Sequence, residues 1–198
     1  PPEPILKDIR TIETRDALID YDKRELERNE HGKPLSIWDG ISFKEHPVTG
    51  KLVPDETGRK ELYRYIKPRS TKWPKADFIV GNPPFIGKRE MRSQLGEKYV
   101  DAVRSSFDLP ENCDFVMYWW HLSAEVVKKG KSRRFGLITT SQITGSFNSS
   151  IVSDHLLNEE PVSILFAVPD HPWVDNNDGA SVRIAMTAVG QGNRDGLL

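Results

Sequence analysis

Three features are scarce or missing in this 198-residue chain, and each narrows the class of protein. Cys113 is the single cysteine, which excludes an internal disulfide and any cysteine-based zinc site. No apolar run is long enough to cross a bilayer, so a membrane partner is not expected. The formal net charge of −1 provides no overall basic field, so any contact with nucleic acid has to use a local patch. Together these observations favour a cytoplasmic protein.

What the chain does have is a segment, residues 76–85, that joins an apolar run to an amide, two prolines and an aromatic ring. Residues 78–80 predict a buried strand that ends at Gly81. The two prolines that follow prevent further strand pairing because proline has no backbone N–H to donate. The pattern therefore predicts a stiff turn at the carboxyl end of a strand, where open α/β sheets bind their ligands.

The side chains of this turn suit the activation of an aryl amine. The lone pair of such an amine is delocalised into its ring, and acceptors for both N–H groups make the nitrogen more nucleophilic. The Asn82 side-chain oxygen and the Pro83 carbonyl can accept these two hydrogen bonds. Phe85 can stack on a base, which stabilises it by about 1–3 kcal/mol. The alternative interpretation is a structural turn, with Asn82 bonded to its own backbone and Phe85 in the core.

The segment Asn82-Pro83-Pro84-Phe85 resembles the catalytic motif of the amino-group DNA methyltransferases, and its final phenylalanine is typical of the adenine-N6 branch. Residues 114–120, 135–141 and 172–183 resemble the large bacterial restriction-modification and phage-defence members of that family. The similarity covers residues 76–189 well and residues 8–20 more weakly. It implies methyl transfer from S-adenosylmethionine to a flipped-out adenine in DNA, with Asn82, Pro83, Pro84 and Phe85 as catalytic residues.

Strand and helix patterns alternate through residues 76–198, which predicts an α/β sheet. The resemblance implies a class I methyltransferase-like (Rossmann-like) mixed sheet with helices on both faces. Residues 1–75 differ in character, with a possible strand and helical turn at residues 10–20, a charged helix face or loop at 21–35 and a hairpin around 47–50. The predicted strands are residues 78–80, 134–140, 162–168 and 182–189, and the predicted helices are residues 93–107, 115–126 and 148–157.

Strand order assigns two groups of basic residues to opposite edges of this sheet. The run at residues 128–134 precedes a strand, so it is expected to face away from the site and to neutralise a helix C-terminus. Lys88, Arg89 and Arg92 follow the catalytic turn instead, which makes them candidates for contacts with DNA phosphates.

The loops after the next two strands are predicted to complete a base pocket. Gln142 belongs to a polar segment, residues 141–146, that can contact DNA or cap a helix. Residues 169–177 are predicted to form a loop, and the resemblance implies that an aromatic residue there stacks on the second face of the base. Trp173 is the candidate, and a core tryptophan is the alternative. His171 has no partner at ligand spacing, so no metal site is predicted.

The resemblance places an acidic residue beside the adenine of S-adenosylmethionine, and Asp16 matches it, although a helix cap is an equal alternative. The family's glycine-rich cofactor turn would precede Asp16, yet no Gly-x-Gly occurs before Gly81. We therefore expect a fragment that lacks most of the cofactor site and is inactive alone. In it the strand ending at Gly81 becomes a sheet edge, and an apolar edge invites pairing. We expect residues 1–75 to fold back over this strand, or the chain to form a homodimer.

Two other functions remain open from the sequence. The same kind of turn serves methylation of cytosine N4 or of a protein glutamine, although it then usually ends in tyrosine. The chain can also be a non-catalytic fragment that binds nucleic acid or another subunit.

Overall fold

The computed structural model describes residues 12–173 and 182–197. The predictions for residues 10 and 11, 174–177 and 179–181 lie outside the described residues. Within the described ranges, no helix is both long and apolar enough to cross a membrane.

The N-terminal part of the chain forms a long two-stranded antiparallel arm. Its strand pairs are nested, from Ile19 opposite Ser70 at the base to Glu45 opposite Leu52 near the tip. Residues 21–35 were expected to form a helix face or a loop. The prediction was wrong for Lys23–Leu26, which form a strand because their partners lie far along the chain, whereas residues 27–35 lie in turns and irregular structure. The strands are β1 (Ile19–Asp20), β2 (Lys23–Leu26), β3 (Ser36–Trp38), β4 (Phe43–Glu45), β5 (Leu52–Pro54), β6 (Arg59–Glu61), β7 (Tyr63–Ile66) and β8 (Arg69–Ser70).

The rest of the chain is built on a four-stranded mixed sheet, in agreement with the α/β prediction. Its strands are β9 (Phe78–Gly81), β10 (Arg134–Thr140), β11 (Val162–Pro172) and β12 (Arg183–Gln191), in the spatial order β11-β12-β10-β9. The pair β9–β10 is parallel, whereas β12 is antiparallel to both of its neighbours.

One predicted loop is shorter than expected. Residues 169–172 belong to β11, because this strand passes through a bulge and resumes pairing with β12, with Pro172 opposite Arg183. The prediction of a loop from residue 169 was therefore wrong for its first four residues. Trp173 follows the end of the strand directly.

Four helices accompany the sheet, and one prediction for them needs correction. A single helix was expected at residues 93–107, but two helices meet at Gly96, whose φ of +91° interrupts the helical backbone. A side chain at Gly96 would also collide with Leu62, since an added Cβ would lie 2.6 Å from Leu62 Cδ2. The helices are α1 (Met91–Leu95), α2 (Glu97–Ser106), α3 (Val116–Lys128) and α4 (Ser146–Leu156), with a 3-10 turn at Ser141–Thr144.

Helix α3 packs on one face of the sheet and contributes nine buried residues to the structure. The fully buried Trp120 contacts the Phe135 ring at a centroid distance of 5.4 Å. Its indole N–H donates a hydrogen bond of 3.2 Å to the Thr187 hydroxyl on β12. His155 of α4 lies against the same Trp120 ring, so α3 and α4 share this face.

The opposite face of the sheet is open at β9. Phe78 and Val80 point to it and are 57% and 85% exposed. In the described part of the chain the helices that pack on the sheet therefore lie on one face, whereas helices on both faces were expected. Residues 12–75 do not cover β9 either, so the expected fold-back over this strand is wrong for those residues. Continuous apolar strands predict burial on both faces, but they do not say which element provides it.

Candidate functional site

The turn formed by Asn82-Pro83-Pro84-Phe85 begins where β9 ends. Gly81 is in register with Leu137 of the parallel strand β10, so Asn82 leaves the sheet at its carboxyl edge. Pro83 is buried, whereas Asn82 and Pro84 are exposed and Phe85 is partly buried. The Pro84 carbonyl accepts a hydrogen bond from the Ile86 amide at 3.1 Å, which closes a tight turn under the Phe85 ring.

The structure brings Trp173 against Phe85. Their ring centroids are 6.4 Å apart and the rings are nearly perpendicular, at 86°. Trp173 is 45% exposed, so it is not a core tryptophan. Phe85 and Trp173, which lie 88 positions apart in the sequence, thus form one aromatic pair beside Asn82.

The backbone at the end of β11 holds Trp173 in this place. The Trp173 amide donates a hydrogen bond of 2.9 Å to the Val182 carbonyl, and this bond extends the β11–β12 pairing by one step. Next to this bond, the guanidinium of Arg183 on β12 forms an ion pair with the carboxylate of Asp170 on β11. Strand pairing with Val182 therefore fixes the backbone position of Trp173.

Lys88 and Gln142 line a common cavity of about 190 Å³ beside this turn. The Lys88 ammonium lies 4.8 Å from the centre of the Phe147 ring, a cation–π contact. Gln142 is exposed in the 3-10 turn that follows β10. The structure thus groups these two predicted DNA-contact residues at the carboxyl edge of the sheet.

Arg89 and Arg92 have different environments. Arg89 is exposed directly after the turn. Arg92 lies on α1 and forms ion pairs with Glu97 at 3.3 Å and Asp101 at 2.9 Å. Because two carboxylates compensate its charge, Arg92 is a weaker candidate for a phosphate contact than Lys88 or Arg89.

Asp16 lies in a second and larger cavity, of about 620 Å³, at the base of the arm. Its Oδ1 accepts hydrogen bonds from the Leu18 and Ile19 amides at 2.8 and 2.9 Å, so the carboxylate closes a turn before β1 and is not a helix cap. Burial, and after it the Asp16 carboxylate, raises the pKa of Tyr65 to about 12. The same two causes raise the pKa of Tyr99. A cavity with a carboxylate and aromatic rings fits the adenosine part of a nucleoside cofactor.

A row of aromatic rings runs from the cavity of Asp16 towards the cavity of Lys88 and Gln142. Edge-to-face contacts run from Tyr21 to Tyr65 at 5.0 Å, from Tyr65 to Tyr99 at 5.7 Å and from Tyr99 to Phe115 at 6.3 Å. The Phe115 amide donates a hydrogen bond of 3.0 Å to the Ile86 carbonyl, next to Phe85. The candidate cofactor cavity and the catalytic turn are therefore parts of one packed unit.

Sequence reasoning missed two residues that touch this site. Asp114 accepts a hydrogen bond from the Lys88 amide, and Asn148 bonds to both Asp114 and the Gln142 carbonyl. Asp114 begins a segment that carries the family resemblance, and Asn148 begins a predicted helix, but neither pattern predicts their contact. In the described ranges, no group of three or more histidine, cysteine or acidic residues is placed to hold a metal ion.

The turn and the aromatic pair thus lie at the carboxyl edge of the parallel strand pair, which is where open α/β sheets bind their ligands. Residues 45–197 match the family model for the DNA-methyltransferase domain of MmeI. The match covers more than half of the chain, and the chain therefore belongs to this family.

Among solved structures, the Type IIL restriction-modification enzyme MmeI in complex with DNA is similar to this chain, with 27% sequence identity and a TM-score of 0.48. The similarity covers 60% of this chain and 16% of that one, so the chain spans a small part of the length of MmeI. A comparison with curated proteins found no match.

Proposed function

We propose that this chain carries the reactive part of a DNA adenine-N6 methyltransferase of the restriction-modification or phage-defence type. The observation that carries the proposal is the pairing of Phe85 with Trp173 beside Asn82 at the carboxyl edge of the sheet. Family membership supports DNA methylation, and Phe85 as the last residue of the motif supports adenine over cytosine N4 or a protein glutamine.

Asn82 and Pro83 are proposed to hold the amine of a flipped adenine. The Asn82 side-chain oxygen and the Pro83 carbonyl accept its two hydrogens, which leaves the nitrogen lone pair directed away from the protein. S-adenosylmethionine, when bound, supplies an electrophilic methyl group. The protein contributes mainly by position and by electrostatics, and it needs no strong base because the amine becomes acidic once methylated.

Phe85 and Trp173 are proposed to enclose the base. Two parallel rings with a base between them need about 7 Å, twice the 3.4 Å spacing of stacked bases. In this structure the rings are perpendicular at 6.4 Å, so the pocket is closed and one ring has to turn when a base enters. Trp173 is the ring that moves, because it is more exposed and is held by backbone pairing rather than by core packing.

Asp16 is the residue proposed to contact the cofactor adenine, through the carboxylate oxygen that does not accept from Leu18 and Ile19. The 198 residues contain no Gly-x-Gly before Gly81, so we propose that they supply only part of the cofactor site. Calorimetry with S-adenosylmethionine is expected to show weak or no binding by the isolated chain. Micromolar binding would contradict this part of the proposal.

The test of the reaction is Asn82→Ala in the full protein. We expect methyl transfer to be lost while DNA affinity stays within about threefold, since Asn82 acts on the amine and not on the DNA backbone. Mass analysis of DNA nucleosides measures the product, and N6-methyladenine is the expected one. Asn158→Ala, at another exposed asparagine, is the matched control. Retained turnover in Asn82→Ala would refute the assignment.

The open strand β9 supports a proposal on assembly. Phe78 and Val80 are exposed on an edge strand, so we propose that the isolated chain forms a homodimer through this strand. Sedimentation equilibrium is the measurement. A monomer at all concentrations would overturn the proposal, because residues 12–75 leave the strand uncovered.

A further inference from the structure

Asn148 is a buried amide behind the catalytic turn. It lies in the first turn of α4 and is only 6% exposed. Its Nδ2 donates hydrogen bonds to Asp114 Oδ2 at 2.8 Å and to the Gln142 carbonyl at 2.9 Å. Its Oδ1 accepts a hydrogen bond from the Asp114 amide at 3.0 Å. A carboxamide is the side chain that meets all three needs, because it has a donor group and an acceptor group at one end.

Asp114 continues this connection to the catalytic turn. Its Oδ1 accepts a hydrogen bond from the Lys88 amide at 3.1 Å. The neighbouring Phe115 amide donates to the Ile86 carbonyl at 3.0 Å. Two hydrogen bonds therefore fix the backbone on the C-terminal side of Phe85, and both come from the residues that lead into α3.

The contacts join three segments that are distant in sequence. They are the exit of the Phe85 turn, the start of α3, and the polar segment after β10 that carries Gln142. The cavity of about 190 Å³ that holds Lys88 and Gln142 is also lined by Asp114 and Asn148. The pairing of β9 with β10 brings the two segments to the same edge of the sheet, but it ends at Gly81 and Leu137. Beyond it, the hydrogen bonds of Asp114 and Asn148 join the exit of the turn to the Gln142 segment.

We propose that Asn148 and Asp114 are positioning residues that set the place of the Phe85 ring and of Lys88 relative to Gln142. The inference rests on the proposed function, in which Phe85 stacks on the flipped base. A shift of about 1 Å in a group that orients a substrate can lower a rate about 100-fold, so a tie of this kind is felt in catalysis. Neither residue touches the base itself.

Asn148→Asp is the most direct test in the full protein. The change keeps the size of the side chain but replaces its donor group by a second carboxylate, which faces Asp114 and the Gln142 carbonyl. We expect single-turnover methyl transfer to fall about 10- to 100-fold, with DNA affinity changed less than about threefold. Asn158→Asp makes the same chemical change at an exposed asparagine just after α4 and is expected to have no effect.

The double variant Asp114→Asn with Asn148→Asp exchanges the two side chains. It separates the contact between positions 114 and 148 from the contact with the Gln142 carbonyl. An amide at 114 can accept from the Lys88 amide and donate to a carboxylate at 148, so this pair restores the connection to the turn. The contact with the Gln142 carbonyl stays lost, because a carboxylate cannot donate to it. We therefore expect the double variant to recover part of the rate that Asn148→Asp loses. A purely additive loss would overturn the proposal.

A second measurement does not depend on methyl transfer. Hydrogen exchange at residues 86–88 is expected to be at least about tenfold faster in Asn148→Asp, because the Asp114 carboxylate that accepts from the Lys88 amide is no longer held by Asn148 Nδ2. Failure of the wild-type protein to methylate DNA would refute the proposed function and leave the exchange result unaffected. If Asn148→Asp shows the same hydrogen exchange and the same turnover as the wild-type protein, the proposed positioning role is overturned.

A melting curve shows whether Asn148→Asp folds. If two facing carboxylates prevent folding, Asp114→Asn alone carries the test, since it loses only the acceptor for Asn148 Nδ2. It is expected to show faster exchange at residues 86–88 and a smaller loss of rate. Asp154→Asn, at an exposed position of α4, is its control. A rate and an exchange profile equal to those of the wild type would again overturn the proposal.

Discussion

The two edges of the central sheet differ in what their charges do. At the carboxyl edge, Lys88 lies against Phe147 and beside Gln142 and the aromatic pair. At the amino edge, Lys128 and Lys129 form ion pairs with Glu125 at 3.6 and 2.9 Å, at the C-terminus of α3. The amino edge has the denser run of cations, yet these two serve the helix end. The position of a basic residue relative to a strand therefore separates the two groups, whereas the number of basic residues does not.

The largest difference between the edges is expected at the aromatic pair. Trp173→Ala removes a ring that we propose to stack on the flipped base, and the loss of such stacking corresponds to about 1–3 kcal/mol, or roughly 5- to 150-fold in occupancy of the pocket. DNA with 2-aminopurine at the target position reports this loss as a lower fluorescence increase on binding. Trp38→Ala, in the arm, is the control and should leave the signal unchanged. An unaltered signal in Trp173→Ala would remove this ring from the base pocket.

Between the two edges, the helices contain a buried histidine pair. His155 Nε2 lies 2.9 Å from His121 Nδ1, and burial followed by the charge of His121 lowers the pKa of His155 to about 4. Glu125 and Lys128 face the same group. In the unfolded chain His155 takes up a proton near pH 6.5, whereas in the folded chain it stays neutral to about pH 4.

The free energy of unfolding should consequently fall as the pH drops from about 6.5 to 4, by about 1–3 kcal/mol. Urea unfolding at a series of pH values measures this change. His155→Gln should flatten the profile in that window, and His31→Gln, at an exposed histidine, should not. An identical slope in all three proteins would show that other groups cause the pH dependence.

A smaller effect, on the salt dependence of DNA affinity, is expected to distinguish the basic residues of the two edges. Lys88→Ala should lower the slope of log affinity against log salt by about 1, if the proposed phosphate contact of Lys88 is the one that is lost. Lys131→Ala, at the amino edge, should leave the slope unchanged. Fluorescence anisotropy with a short duplex at several salt concentrations gives both values. Equal changes in the two variants would abolish the distinction between the edges.

The smallest effect is expected at Glu125. Glu125→Gln removes the partner of Lys128 and Lys129, and surface ion pairs of this kind contribute about 0–1 kcal/mol. We expect a slightly lower melting temperature and an unchanged rate of methyl transfer. A faster or slower transfer reaction would mean that the amino edge takes part in the function.

The elements with strong local patterns could be predicted from the sequence. Strand β10 spans residues 134–140 as expected, because an apolar run between a basic segment and a polar segment has one interpretation. The apolar face of α3 is equally clear in the sequence. At the site, the position of the turn after β9 could be predicted because the prolines end the strand.

Elements that depend on distant partners could not be predicted. Residues 169–172 are polar and include two prolines, yet they extend β11 because β12 offers a partner across a bulge. The charged residues 23–26 form a strand of the arm because their partners lie at residues 63–66. The hydrogen bond between Asn148 and Asp114 joins positions 34 residues apart, and no local sequence pattern predicts such a contact.

The open sheet face at β9 also affects how strongly the chain adsorbs to interfaces and binds apolar dyes. With Phe78 and Val80 more than half exposed, this face should bind the dye ANS and adsorb to air–water interfaces. Shaking or freezing would then cause losses that a melting temperature does not reveal. A glutamate in place of Val80, which points to solvent, should improve recovery without unfolding the chain.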